Sequence, residues 1–193
     1  MKKTGKVFYI LPAGYLAVSY TALIFLLKQE VSPLPVLAGA ALLLGVGNMI
    51  QAVLCCRKKH EEFLERAVML LKYGMILFYM IVFVLGVAVW FIGTFLGPVG
   101  MIAALMFAIV DYAIMIPGIF YGISWLVLLI RKKEISLKAG TFHGILQCLF
   151  VFDVADTMYL IAVKKKKYRR ITAGILVMTV AAAGVAGGYF FCM

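Results

Sequence analysis

The chain is 193 residues long and 65% hydrophobic, with a mean hydropathy of +1.08 and a formal net charge of +11. A soluble domain is close to half apolar, so this composition excludes a soluble globular fold and indicates an all-α integral membrane protein. Its apolar runs of about 20 residues are each long enough to cross the hydrocarbon core as a helix.

Five apolar stretches are predicted to span the membrane, within one transmembrane helical domain that covers residues 1–193. In chain order they are residues 7–27, 36–56, 73–96, 101–130 and 171–191. A Gly-Pro-Val-Gly turn at 97–100 separates the third stretch from the fourth. The segment 57–72 carries an apolar stripe at helical spacing. It is interpreted as an interfacial helix or as the protruding first turns of the third span, and the second interpretation is favoured.

Asp111 is the only charged residue between Lys72 and Arg131. A carboxylate inside a span is costly to keep there, and such residues commonly mark an ion or proton path. Pro117-Gly118 follows six residues later and predicts a kink, because proline removes one backbone donor. Asp111 is therefore a candidate ion or proton site, with structural packing an equal alternative.

The stretch 141–163 decides the topology. It is apolar enough to cross the membrane, but Asp153 and Asp156 lie near its middle, and a basic cluster follows it. The basic cluster consists of Lys164, Lys165, Lys166, Lys167, Arg169 and Arg170. If the stretch dips into the membrane and returns, only Lys28 of the 19 Lys and Arg residues lies outside, which is the distribution that the positive-inside rule favours. The sequence thus predicts five transmembrane helices plus one re-entrant helical hairpin at 141–163, with the N-terminus cytoplasmic and the C-terminus outside.

Four polar residues of this hairpin are further candidates. Asp153 and Asp156 are interpreted as the N-cap and first turn of a helix that restarts inside the hairpin, with an ion or proton site as the alternative. His143 and Gln147 lie one helical turn apart and are predicted to contact one polar partner. No Lys or Arg falls within a predicted span, so none is expected to neutralise these carboxylates.

The basic cluster is predicted to bind anionic lipid at the cytoplasmic face of the bilayer. This accounts for the positive net charge, and no nucleic-acid partner is expected. The four cysteines show no metal-binding spacing, and no nucleotide-binding glycine motif or catalytic signature is present in the sequence. No catalytic residue, metal or cofactor is therefore predicted, and the chain is not expected to be an enzyme.

One local residue pattern is similar to a pattern in other membrane proteins. A histidine and a Leu-Gln pair precede an apolar run that leads into Asp-Val, ahead of the basic cluster. These residues are His143, Leu146, Gln147, Phe150, Asp153 and Val154. The pattern resembles a group of small polytopic membrane proteins of Gram-positive bacteria. The resemblance implies a bacterial plasma membrane and carries no activity with it.

Three classes of function follow. An accessory or interaction subunit of a membrane complex, with another membrane protein as partner, is favoured because the loops are too short for a soluble domain. The alternative is a small transporter or ion- or proton-conducting protein, in which the broken helix and Asp111 line a path. The third is a lipid-modifying enzyme at the cytoplasmic interface that uses Asp153 and Asp156 with a divalent ion.

Overall fold

The computed structural model describes residues 6–149 and 152–192, with side chains described for 8–149 and 152–181. Every regular element in these ranges is helical. After a short 3-10 helix (Lys6–Tyr9) come α1 (Ile10–Leu27), α2 (Leu34–Arg57), α3 (Glu61–Gly74), α4 (Ile76–Phe95), α5 (Pro98–Arg131), α6 (Leu137–Leu146), α7 (Phe152–Tyr159), a π-helical turn (Leu160–Lys164) and α8 (Arg169–Cys192).

Four helical stretches of the described residues are long and apolar enough to cross a membrane. They are α1, α2, the combined α3–α4 stretch Glu61–Phe95, and α5. The chain is thus all-helical over its described residues, with helices of membrane-spanning length. The predicted fifth span, 171–191, falls on α8, whose side chains from residue 182 onward lie outside the described residues.

The segment 57–72 forms part of the helix bundle. α3 is separated from α4 only by a turn at Met75, so the two form one almost continuous rod. The apolar stripe of α3 is buried against the neighbouring helices, mainly α5. It consists of Phe63, Leu64, Ala67, Val68 and Leu71. These turns belong to the third long helix, as the favoured interpretation predicts, and their apolar stripe is packed inside the bundle.

α4 and α5 form a tight helical hairpin at the predicted Gly-Pro turn. Gly97 adopts a φ of +68°, a conformation that favours glycine, and Pro98 begins the next helix. A Cβ atom added to Gly93 would lie 2.7 Å from the carbonyl oxygen of Gly100. The two helices therefore approach closely because both positions lack a side chain.

Polar side chains of α2 are used to hold α5. The Tyr121 hydroxyl lies 2.6 Å from Gln51 Oε1 and 3.1 Å from Asn48 Oδ1. The Asn48 amide donates to the carbonyl oxygens of Leu44 and Leu11. Asn48 and Tyr121 are both fully buried, so these contacts stabilise the α1–α2–α5 packing.

Ion pairs gather several loops at one end of the bundle. Lys165 Nζ lies 2.6 Å from Glu61 Oε1, at the start of α3, and 2.5 Å from Glu134 Oε2, just after α5. Lys167 Nζ lies 3.1 Å from Glu65 Oε2. The chain therefore leaves α5, passes through α6, α7 and the π-helical turn, and returns to the same end of the bundle.

Candidate functional site

Lys72 is buried in the centre of the bundle. It has 2% of its surface exposed, and its ammonium donates to Asp153 Oδ1 and Gln147 Oε1. The prediction that no Lys or Arg would neutralise these carboxylates is thus wrong, since Lys72 pairs with Asp153. The reason is that α3 continues the third long helix, so Lys72 lies one turn beyond Val68 on the same buried stripe.

Asp153 is the second residue of α7, so the prediction that it is the N-cap is wrong. Its backbone N–H donates to the carbonyl oxygen of Leu149 at 2.9 Å, and its carboxylate accepts from Lys72. Only 1% of Asp153 is exposed. The carboxylate is therefore oriented by a buried ammonium on another helix.

Gln147 connects this ion pair to a second buried pair. Its amide nitrogen lies 2.7 Å from Asp156 Oδ2 and 3.3 Å from Thr157 Oγ1, while its oxygen faces Lys72. His143 Nδ1 lies 2.5 Å from Asp156 Oδ1. The structure thus places His143 and Gln147 against one shared partner, Asp156. We call Lys72, His143, Gln147, Asp153, Asp156 and Thr157 the Lys72 cluster.

The cluster has room for Lys72 because α5 presents glycines to it. A Cβ atom added to Gly122 would lie 3.1 Å from Lys72 Nζ and would also collide with the Gln147 side chain. A Cβ atom on Gly118, one turn earlier, would lie 3.9 Å from Lys72 Cγ. The glycine pair therefore forms the α5 wall of the site.

The charges of the cluster balance only in part. One lysine ammonium faces one carboxylate, Asp153, and a second carboxylate, Asp156, faces an imidazole. A contact of 2.5 Å between His143 Nδ1 and Asp156 Oδ1 requires one proton between the two atoms. The cluster thus contains two carboxylates, one lysine and one imidazole within a single hydrogen-bonded network.

Two cavities reach the cluster from different faces of α7. One, of 290 Å³, is lined mainly by apolar side chains and by Asp153; we call it the Asp153 cavity. The other, of 510 Å³, is lined by His143, Asp156 and Lys164; we call it the His143 cavity. Ala155 lines both. The Lys72 cluster lies between the two cavities.

A profile for one protein family matches residues 13–168, which is most of the chain. The chain belongs to a family of unknown function, DUF6652. The matched region contains the whole Lys72 cluster and Asp111. No curated protein and no solved structure is significantly similar to this DUF6652 member. Phe150, one of the residues in the resemblance noted above, lies outside the described residues.

Asp111 of this DUF6652 chain is not part of the Lys72 cluster. It lies in α5 and lines a third cavity, of 610 Å³, between α1, α2, α4 and α5. Its Oδ1 atom is buried and has no hydrogen-bond partner among the described residues. Pro117 lies within α5, which continues through it as one helix. Tyr15 Oη donates to the nearby Ile114 carbonyl at 2.8 Å.

Some residues of this family member's basic cluster form ion pairs with glutamates of the same chain. Lys165 contacts Glu61 and Glu134. Burial acts to lower the pKa of Lys165, but these two glutamates outweigh it and raise that pKa above its ordinary value. Lys166 and Arg170 are exposed, and they remain candidates for anionic lipid together with Lys164 and Arg169.

Metal-ligating residues are not clustered in the described part of this DUF6652 chain. No group of three His, Cys, Asp or Glu side chains there is placed to hold a metal ion. Cys55, Cys56 and Cys148 are free thiols. The side chain of the fourth cysteine, Cys192, lies outside the described residues.

Proposed function

We propose that this protein is a small membrane transporter that exchanges monovalent inorganic cations for protons at the Lys72–Asp153 ion pair. The observation that carries the proposal is a lysine ammonium with 2% exposure, held between Asp153 of α7 and Gln147, which directly follows α6 at the break between the two helices. Ionisable pairs inside a bundle of spans commonly mark an ion or proton path. Broken helices near such pairs are how many transporters build their sites.

Exchange follows from competition for one carboxylate. When a monovalent cation binds the Asp153 carboxylate, the Lys72 ammonium loses its partner in a dry environment and releases its proton. The site gains one positive charge and loses one, so its net charge is unchanged. The reverse step reprotonates Lys72 and expels the cation. Gln147 Oε1 holds the lysine nitrogen in place while it is away from Asp153.

We infer that the ions would reach the cluster through the two cavities. The Asp153 cavity ends at the carboxylate that would bind the cation. The His143 cavity ends at the His143–Asp156 pair, which lies one amide away from Lys72 through Gln147. A proton released by Lys72 therefore has a titratable acceptor within the same hydrogen-bonded network.

The proposal includes the membrane topology. We infer five spans and a re-entrant α6–α7 hairpin in a bacterial plasma membrane, with the N-terminus cytoplasmic and the C-terminus outside. Its support is the ion pairs of Lys165 with Glu61 and Glu134, which bring the chain after the hairpin to the same end as the start of α3. Anionic lipid at that face would bind the exposed members of the basic cluster.

The test uses purified protein in liposomes that contain a pH-sensitive dye. External Na⁺, K⁺ or Li⁺ is added, and alkalinisation of the lumen is recorded as protons leave in exchange. We expect the wild type to respond to at least one of the three ions. Asp153→Asn removes the cation-binding charge and should reduce the rate to that of empty liposomes.

Lys138→Gln serves as the matched control, because this lysine is exposed in α6 and should not affect exchange. A folded wild type that responds to none of the three ions, or an Asp153→Asn protein with the full rate, would contradict the exchange proposal. A protein that shows no cation–proton exchange and co-purifies in mild detergent with a stoichiometric second membrane protein would instead support the accessory-subunit class.

A further inference from the structure

The cavity that Asp111 lines between α1, α2, α4 and α5, which we call the Asp111 cavity, is a second candidate site, separate from the Lys72 cluster. It has a volume of 610 Å³, within the range of about 300–1,000 Å³ typical of small-molecule pockets. Its walls are mainly apolar and include the aromatic rings of Tyr15, Phe78 and Phe107. No lysine, arginine or histidine lines it among the described residues.

A buried carboxylate oxygen at this cavity lacks a partner among the described residues. Asp111 Oδ1 is buried without a hydrogen bond, whereas the hydroxyl of Ser19, a residue with only 4% exposure, interacts with the Tyr15 hydroxyl. Both residues line the same cavity. Buried polar groups in folded proteins nearly always have partners, so the unpaired Asp111 oxygen beside this cavity indicates a ligand that supplies one. The Tyr15 hydroxyl donates to the carbonyl oxygen of Ile114, and its oxygen can still accept from Ser19.

The lining residues indicate which class of ligand the cavity would bind. A carboxylate without a counter-charge attracts a cation, and aromatic faces stabilise one further. A bare metal ion would find one carboxylate and one hydroxyl, too few oxygens for its usual coordination. A cation that carries its own apolar body would instead fill the apolar walls and place its charge at Asp111.

We propose that the Asp111 cavity binds a monovalent organic cation with an apolar body, such as a protonated lipophilic amine or a phosphonium ion. This site goes beyond the proposed exchange at Lys72–Asp153 and does not depend on it. Asp111 supplies the counter-charge, Ser19 supplies a hydroxyl oxygen, and the aromatic rings enclose the apolar groups.

The test is equilibrium binding of radiolabelled tetraphenylphosphonium to the purified full-length chain in detergent. We expect saturable binding, at least tenfold weaker in Asp111→Asn and retained in Asp111→Glu. Unlabelled triphenylphosphine oxide, a neutral analogue of similar shape, should compete poorly. Lys138→Gln, at an exposed position of α6, should bind the phosphonium ion normally. Saturable phosphonium binding by a wild type that shows no cation–proton exchange would leave this proposal standing while the proposed exchange fails.

A second variant tests the cavity without removing the carboxylate. A Cβ atom added to Gly39, which lines the cavity, meets nothing within 4 Å, so Gly39→Phe can extend into the space without displacing α2. It should abolish phosphonium binding, whereas Gly144→Phe, also open around its Cβ atom but outside the cavity, should not. Unchanged binding in both Asp111→Asn and Gly39→Phe, or equal competition by the neutral analogue, would overturn the proposal.

Discussion

Lys72→Met is the substitution with the largest predicted cost. Lys72 and Asp153 are both almost completely buried, so methionine would leave a buried carboxylate without a counter-charge and Gln147 Oε1 without its donor. Breaking a buried ion pair in this way costs about 3–5 kcal/mol. For a chain of this size, that corresponds to a fall in the thermal midpoint of about 6–20 °C. The double variant Lys72→Met/Asp153→Leu should cost less than the single variant, because neither charge is then stranded.

The assay is thermal unfolding in mild detergent with a thiol-reactive fluorescent dye. Cys55 is 2% exposed and reports unfolding when the other three cysteines are changed to serine. Lys138→Met, at an exposed position of α6, controls for loss of a lysine as such. A Lys72→Met protein whose midpoint falls no further than that of Lys138→Met would show that Lys72 is not buried against Asp153.

Three further predictions concern topology, packing and charge. Cysteine placed at Lys28 should react with an impermeant maleimide on intact cells, whereas cysteine at Lys166 should not; labelling at 166 would refute the re-entrant hairpin. Gly122→Ala should lower the thermal midpoint by overpacking the Lys72 cluster, at a cost of about 1–3 kcal/mol, whereas Gly39→Ala should be nearly neutral. Lys165→Gln should cost at most about 1 kcal/mol. The pKa of Lys165 is raised in the folded state, so the stability difference between the wild type and Lys165→Gln is fully present below about pH 10.4. It is lost as the pH rises through the folded-state pKa. A stability difference that instead grows at high pH would contradict the ion pairs of Lys165.

The long helices could be predicted from the sequence because their signal is simple. Apolar runs between short charged segments correspond to α1, α2, α4 and α5, and the Gly-Pro turn at 97–100 lies where α4 meets α5. The break between α6 and α7 was likewise indicated by the two aspartates in an apolar stretch. Composition and spacing are enough for these features, since each depends on local chemistry.

Lys72 could not be placed by the same reasoning, because a lysine next to an apolar run usually marks the water boundary. The signal that would have found it is helical spacing: Leu64, Val68 and Lys72 follow one another at intervals of four residues, so all three share the buried face of α3. The role of Asp153 was misread for a related reason. A carboxylate near a helix start suits a backbone cap or a distant cation equally well, and the sequence does not contain the distance to Lys72.

The position of Ala155 has a mechanical consequence. Because this residue lines both the Asp153 cavity and the His143 cavity, α7 is a partition one helix thick between them. A displacement of α7 that widens one cavity narrows the other by the same movement. Access to Asp153 and access to His143 would thus change together, in a single motion of an eight-residue helix.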